Sequence, residues 1–198
     1  MNILSETRKD FFNRRAERWN EHLSSDDSGY LQKIISIVET PGEIGKNVLD
    51  LGCGTGVLFP FLSEWNVTAF DHSESMLKCA KEKQYSNVRE YIQGDAHQLP
   101  FSDETFARVY MLSVVPHLED VPDVVAEVRR VLKPGGTVSI IHLLNAETIT
   151  TIHAKIGGAV AHDRLLEISE LKSILLTLKF EVGFEDSNAR MTLIGRKL

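Results

Sequence analysis

Two cysteines, Cys53 and Cys79, are all that the 198 residues contain, and they form no CxxC pair. That spacing excludes a disulfide framework and a cysteine-built zinc site. No run of about 18 apolar residues occurs, so no segment reads as a membrane-spanning helix. The N-terminus is charged and has no apolar signal core, which points away from export. A basic surplus is missing too. The net charge is −6, the reverse of what a phosphate-binding face needs. No internal repeat or low-complexity tract is visible. The expectation is a cytoplasmic protein with neither nucleic acid nor membrane as its main partner. What is present, 42% hydrophobic and 25% charged residues, suits one α/β domain over residues 1–198.

The chain is organised around Val48-Leu-Asp-Leu-Gly-Cys-Gly-Thr-Gly-Val57. Val48 to Leu51 read as a short buried strand. Gly52, Gly54 and Gly56 follow at alternate positions, and Val57-Leu-Phe-Pro-Phe-Leu62 resumes an apolar helical pattern. A glycine turn between strand and helix lets a nucleotide lie against bare backbone. The NAD fingerprint Gly-x-Gly-x-x-Gly, started at Gly52, needs a glycine where Val57 stands. A second strand, Val67 to Phe70, ends at Asp71, where a carboxylate can accept hydrogen bonds from both hydroxyls of a ribose. A third, Val88 to Gln93, leads into Gly94-Asp95-Ala96.

Asp50, Gly52, Gly54 and Gly56 resemble the Asp/Glu-x-Gly-x-Gly-x-Gly motif of class I S-adenosylmethionine-dependent methyltransferases. Asp71-His-Ser-Glu-Ser-Met-Leu77, Gly94-Asp-Ala-His-Gln-Leu-Pro-Phe101 and Leu132-Lys-Pro-Gly-Gly136 resemble further segments of those enzymes. Phe11-Phe-Asn-Arg-Arg-Ala-Glu-Arg-Trp-Asn20 is similar to the N-terminal segment of the small UbiE-like, methyltransferase type 11 group. The likeness runs from Phe11 to Leu198. It implies an α/β, Rossmann-like class I methyltransferase fold: a seven-stranded, mostly parallel sheet with an antiparallel last strand and a helical lid over residues 1–40. It implies S-adenosyl-L-methionine as cofactor and S-adenosyl-L-homocysteine as product. It assigns the ribose to Asp71, the adenine amino group to Asp95 and a ring nitrogen to the backbone of Ala96. Further cofactor contacts carried over are Trp19, Asp50, Gly52, Cys53, Gly54, Thr55, Gly56, His72 and Met76. Met111 and Leu112 stand where the family has small polar residues, so contact there is expected through backbone.

The remaining elements follow from periodicity and punctuation. Ser5 to His22 reads as one helix capped by Ser5, with Phe12, Ala16, Trp19 and Leu23 on its apolar face. Ser24 to Gly29 reads as a polar hinge loop, and Tyr30 to Thr40 as a helix stopped by Pro41-Gly42. Ser73 is placed to cap a helix. A fourth strand covers Phe106 to Leu112 and a helix Val121 to Leu132; Leu132 to Gly136 is a turn into a fifth strand, Thr137 to Leu143. Ser169 is placed to cap a helix reaching Leu178, and strands follow over Phe180 to Glu185 and Ala189 to Lys197.

Leu144 to Ile168 falls where the family inserts acceptor-binding pieces. Of seven histidines, all but His22 lie in segments that can reach the carboxyl edge of the sheet. His117, His142, His153 and His162 are the candidates for a base that takes a proton from the acceptor during methyl transfer. The spacing of the last three matches no standard metal-ligand pattern, so no metal is expected. Cys53 has no base beside it and reads as filler between glycines. Arg164 can face a substrate carboxylate, Asp163 or Glu167. The expected function is methyl transfer from S-adenosylmethionine to a small-molecule acceptor. Two alternatives stay open. One is a non-catalytic S-adenosylmethionine sensor; the other is an NAD-dependent reductase, disfavoured by Val57 and by the lack of a Tyr-x-x-x-Lys pair.

Overall fold

The computed structural model describes residues 6–38, 44–186 and 189–198. Its centre is a seven-stranded sheet built from β1 (Asn47–Leu51), β2 (Asn66–Asp71), β3 (Val88–Gln93), β4 (Phe106–Leu112), β5 (Leu132–His142), β6 (Phe180–Asp186) and β7 (Met191–Lys197). The order is β3-β2-β1-β4-β5-β7-β6. The first five strands pair in parallel, and β7 runs antiparallel between β5 and β6. This is the Rossmann-like arrangement expected from the sequence.

Both faces of the sheet are covered, which is why β1 and β4 are almost continuously buried. Alternate residues serve opposite faces. Leu49, Leu51, Val109, Met111, Val138 and Ile140 join Val124, Val128, Leu171 and Leu175, from α4 (Val121–Val131) and α6 (Ile168–Thr177). Val48, Ala69, Tyr110 and Ile141 join Leu31, Ile34, Leu77 and Ala80, from α2 (Ser25–Ile37) and α3 (Glu74–Glu82).

Several local expectations are corrected. The first helix, α1 (Arg8–Arg15), is capped by Thr7 through a capping box with Asp10, and Ser5 lies outside the described residues. The chain then tightens into a 3₁₀ stretch, Ala16–His22. The change of period replaces the expected stripe: Phe11 and Ala16 are buried and Leu23 is exposed. The supposed hinge at Ser24 is the start of α2. Ser24 Oγ accepts from Asp27 N at 3.1 Å and Asp27 Oδ2 accepts from Ser24 N at 3.0 Å, a reciprocal cap. The Pro41-Gly42 stop lies outside the described residues.

After Gly56 the expected helix shrinks to turns and one 3₁₀ stretch, Phe59–Leu62, because Pro60 has no N–H to bond back. Leu132 to Gly136 belongs to β5 as a bulge: Phe106 pairs with Leu132 and Arg108 with Thr137, so extra residues loop out on the β5 side. Helix α6 is capped at Glu167, whose N–H donates to Glu170 Oε2 at 2.8 Å, two residues before the expected Ser169. Residues 144–168 contain a helix, α5 (Ala146–Ile156), capped by Asn145 and ended by Gly157 at φ +72°.

Gly56 holds a φ of +81°, and a Cβ there would sit 2.2 Å from the Phe59 ring. Gly29 lies inside α2 with nothing within 4 Å of the same position. Urea unfolding should therefore show Gly56→Ala losing about 2–4 kcal/mol, overpacking added to a left-handed backbone. Gly29→Ala should gain about 0.5–1 kcal/mol, because only helix propensity changes.

Candidate functional site

Strand order reverses between β1 and β4, and in open α/β sheets ligands bind at that switch point, beyond the carboxyl ends of the strands. A cavity of about 770 Å³ lies there. The turn after β1 supplies Gly52 and Gly54, and the end of β2 supplies Asp71 and His72. Gly94, Asp95, Ala96 and His97 come from beyond β3, and Leu112, Ser113, Val114 and His117 from beyond β4. Phe12 of α1 and Trp19 of the 3₁₀ stretch cover it from the N-terminal side.

The turn after β1 is held through its own backbone N–H groups. Gly52 and Cys53 N–H groups both donate to Phe70 O, at 2.8 and 3.0 Å. Gly54 N–H donates to Asp71 Oδ2 at 2.7 Å, while Asp71 Oδ1 accepts from Ser73 N at 2.8 Å. Burial raises the Asp71 carboxyl above its ordinary value, and these two N–H donors offset only part of the rise. Gly54 sits at φ +53° with an open α-carbon; a Cβ there would come no nearer than 3.8 Å to the Trp19 indole nitrogen. On the next strand end, Asp95 Oδ1 accepts from His97 N at 3.0 Å and lies 2.7 Å from His97 Nδ1, hydrogen bonds that hold its carboxyl below the usual range. Two separated carboxylates, bare glycine backbone and the apolar sides of Phe70, Met76 and Leu118 suit a ligand with a diol and an amino-substituted flat ring.

Of the residues expected to touch a cofactor, Trp19, Gly52, Gly54, Asp71, His72, Met76, Asp95, Ala96 and Leu112 border the cavity. Asp50, Cys53, Thr55, Gly56 and Met111 do not, and each has a physical reason. Asp50 is 1% exposed between Ala69 and Tyr110, on the α2 and α3 side of β1, the face that Val48 shares. Neither of its oxygens meets a partner, and burial beside Asp71 raises its pKa to about 8, so it is a neutral acid beneath the turn. Cys53 is buried in the α2-side core, where burial pushes its thiol up. Thr55 is turned aside: its hydroxyl donates to Asn20 Oδ1 at 2.7 Å and its carbonyl accepts from Lys83 Nζ at 2.7 Å. Gly56 packs on Phe59, and Met111 points into the α4-side core.

The four histidine candidates separate in the same way. His117 borders the cavity. His142 is fully buried on the face of β5 shared by Val138 and Ile140; both ring nitrogens are unpartnered and burial lowers its pKa to about 3. His153 lies behind His117, with ring centres 5.0 Å apart, and donates from Nδ1 to the backbone carbonyl of Asp163 at 3.1 Å. His162 is exposed and away from the cavity. Arg164 pairs with Glu170, at 3.1 Å on both oxygens, in place of the partners expected. No group of three or more metal-ligating side chains occurs among the described residues.

Two participants were missed from sequence. Asp163 Oδ2 lies 2.6 Å from His117 Nδ1, and Arg8 donates to Asp163 Oδ1 from Nη2 at 2.8 Å. The pairs are 46 and 155 residues apart in the chain, and no local spacing signals them. Ser113, at the mouth of β4, holds a φ of +58°, a strained value for a residue with a side chain.

A family model described as a methyltransferase domain matches residues 49–140. The chain is 43% identical over 96 residues to a malonyl-[acyl-carrier protein] O-methyltransferase of Erwinia pyrifoliae, covering 46% of this chain and 35% of that one. It is 35% identical over 143 residues to a demethylmenaquinone methyltransferase of Desulfitobacterium hafniense, covering 66% of this chain and 56% of the relative. The chain thus spans about a third to a little over half of the curated relatives it matches. Among solved structures, magnesium protoporphyrin IX methyltransferase of Synechocystis with bound S-adenosylhomocysteine superposes with a TM-score of 0.73. That match has 19% identity and covers 96% of this chain and 97% of the other, a likeness of fold.

Asp50 carries a measurable consequence. With a folded pKa of about 8 against about 3.9 unfolded, its proton is bound by the fold alone between those values. Its contribution to stability therefore falls as pH rises through that window, by about 1.4 kcal/mol per pH unit. Asp50→Asn lacks this dependence. Urea unfolding at about pH 5 and about pH 7 should show the variant gaining roughly 1–3 kcal/mol relative to wild type.

Proposed function

We propose that this chain, which carries a class I S-adenosylmethionine-dependent methyltransferase domain, moves the methyl group of S-adenosylmethionine to a small-molecule acceptor and releases S-adenosylhomocysteine. The observation that carries the reading is the meeting of the glycine turn, Asp71 and Asp95 in one cavity at the sheet's switch point. When bound, S-adenosylmethionine supplies a methyl group already activated on a sulfonium. The protein's own work is to bind, align and remove a proton.

Each oxygen of Asp71 accepts one backbone N–H and keeps a lone pair for a ribose hydroxyl. Asp95 accepts from the adenine amino group, and the open α-carbon of Gly54 lets the amino-acid end lie against the turn. Phe12, His117 and Ala159 line the share of the cavity we assign to the acceptor. His117 is the base. Burial lowers its pKa despite the Asp163 carboxylate, so the ring is neutral and able to take a proton at neutral pH. Alignment of acceptor and methyl group can lower the barrier by up to about 7–11 kcal/mol.

Residues 1–198 act as one domain in this reading, with residues 1–40 as the lid and 144–168 on the acceptor side. The relatives named above act on a malonyl-acyl carrier protein and on demethylmenaquinone, acceptors so different that neither is carried over. Among the described residues no helix is long and apolar enough to cross a membrane. Cys53 and Cys79 are free thiols, which supports a cytoplasmic setting.

Calorimetric titration with S-adenosylmethionine, S-adenosylhomocysteine and NAD tests the reading. The first two should bind. Asp71→Ala, checked for folding by urea, should weaken them about 10- to 100-fold, the scale of hydrogen bonds to a charged group. Binding of NAD in their place would overturn the proposal. Tight binding with no methyl transfer across an acceptor screen would leave a sensor.

A further inference from the structure

The carboxylate of Asp163 is 1% exposed, and its two oxygens serve two different parts of the chain. Oδ2 holds His117 Nδ1 at 2.6 Å. Oδ1 accepts from Arg8 of α1, from Nε at 3.0 Å and from Nη2 at 2.8 Å. A further nitrogen of Arg8, Nη1, reaches Glu119 Oε1 at 3.1 Å, two residues beyond His117. Phe12, also on α1, meets the His117 ring edge-on with centres 4.8 Å apart. From the other side, His153 of α5 packs against that ring and bonds the Asp163 backbone. An ionised carboxylate can only accept, so His117 Nδ1 carries the proton and Nε2 keeps the lone pair.

We propose that Asp163 is the positioning residue of His117, and that Arg8 grips the second oxygen of the same carboxylate, so that the base is fully assembled only when α1 is docked over the cavity. This rests on the methyl-transfer reading above. It narrows the acceptor to a molecule whose nucleophilic atom bears a proton that must leave: a hydroxyl, a thiol or an activated C–H. The proton passes to His117 Nε2, and the electron pair it leaves behind forms the new bond to the methyl carbon. The departing thioether keeps the electrons of the broken C–S bond. His117 then returns its proton to water, and Asp163 stays ionised throughout.

A merely structural ion pair makes a different forecast. The charged and titratable groups facing His117 are Asp163, Arg8, His153, His142 and its neighbour Glu119. Asp163 favours the protonated ring; burial, Arg8 and His153 oppose it. Removing Arg8 leaves the attraction of Asp163 unshared, so His117 should titrate at higher pH. Removing the charge of Asp163 leaves burial and Arg8 in command, so His117 should titrate at lower pH. If the pair only held the fold, both variants would loosen the packing, relieve burial and move the ring upward together.

Nitrogen-15 NMR of the histidine-labelled chain over residues 1–198, without acceptor, reads both the titration and the tautomer. We expect an Nδ1-protonated neutral ring in wild type, a downward shift in Asp163→Asn and an upward one in Arg8→Gln. Shifts in the same direction, no shift, or an Nε2-protonated wild-type ring would overturn the proposal. Urea unfolding checks each variant. Should Asp163→Asn fail to fold, Asp163→Glu combined with Arg8→Gln carries the test, with His117 again moving upward and the Nδ1 tautomer kept. Calorimetry with S-adenosylhomocysteine on the same samples separates the two levels. Binding with an unmoved His117 sinks this inference alone, and loss of binding in wild type sinks the reading beneath it.

Discussion

The N–H of Gly54 donates to Asp71 across 2.7 Å, and this hydrogen bond joins the turn after β1 to the end of β2. It joins a backbone donor to a carboxylate, the stronger kind of protein hydrogen bond, about 1.5–3 kcal/mol. The same carboxylate holds the N–H of Ser73, whose side chain starts α3 by accepting from Met76 N. One side chain therefore shapes the glycine turn, the strand end and the helix start. The turn needs no side chain of its own to hold this shape, so its α-carbons can face a ligand. Beneath it, Asp50 has no comparable donors, and burial forces it to stay protonated.

The N-terminal segment completes the cavity through polar tethers to three separate places. Asn13 Oδ1 accepts from Ser73 Oγ at 2.6 Å and from Ser75 N at 3.2 Å. Asn20 accepts from Thr55 on the glycine turn, and Arg8 binds Asp163. Phe12 and Trp19 pack on each other between these tethers, ring centres 5.4 Å apart. The neutral bonds among these contribute about 1 kcal/mol each, and the charged one to Asp163 about 1.5–3. The tether at Asp163 differs from the others because its partner also holds His117. In the mechanism we propose, this single carboxylate links docking of α1 to proton transfer at His117.

Much of this was legible in the sequence because it is local. The glycine spacing, the acidic strand ends at Asp71 and Asp95 and the apolar strand runs each depend on neighbours a few residues away. Ser24 reads as loop although Ser24 and Asp27 stand at capping-box spacing, because the polar run Ser24 to Gly29 masks the cap. Pro60 was visible too, yet the apolar period around it suggested a helix that proline cannot continue. Two kinds of information were not local. Whether Asp50 or Met111 faces a ligand depends on which face of the sheet it serves, and that is settled by α2 and α4 packing from either side. The partnership of Arg8, His117 and Asp163 exists only once the first helix crosses the carboxyl edge and the segment after α5 returns to it.

We propose that Gly52 and Gly54 of the glycine turn and the strand ends at Asp71 and Asp95 form one binding surface for S-adenosylmethionine and its product. Amide hydrogen exchange with and without S-adenosylhomocysteine tests it directly. Slowed exchange at the glycine turn, at Asp71 to Ser73 and at Asp95 to His97, together with α1 and absent with NAD, is the result the account predicts. Unchanged exchange at the glycine turn, or equal protection by NAD, would contradict it.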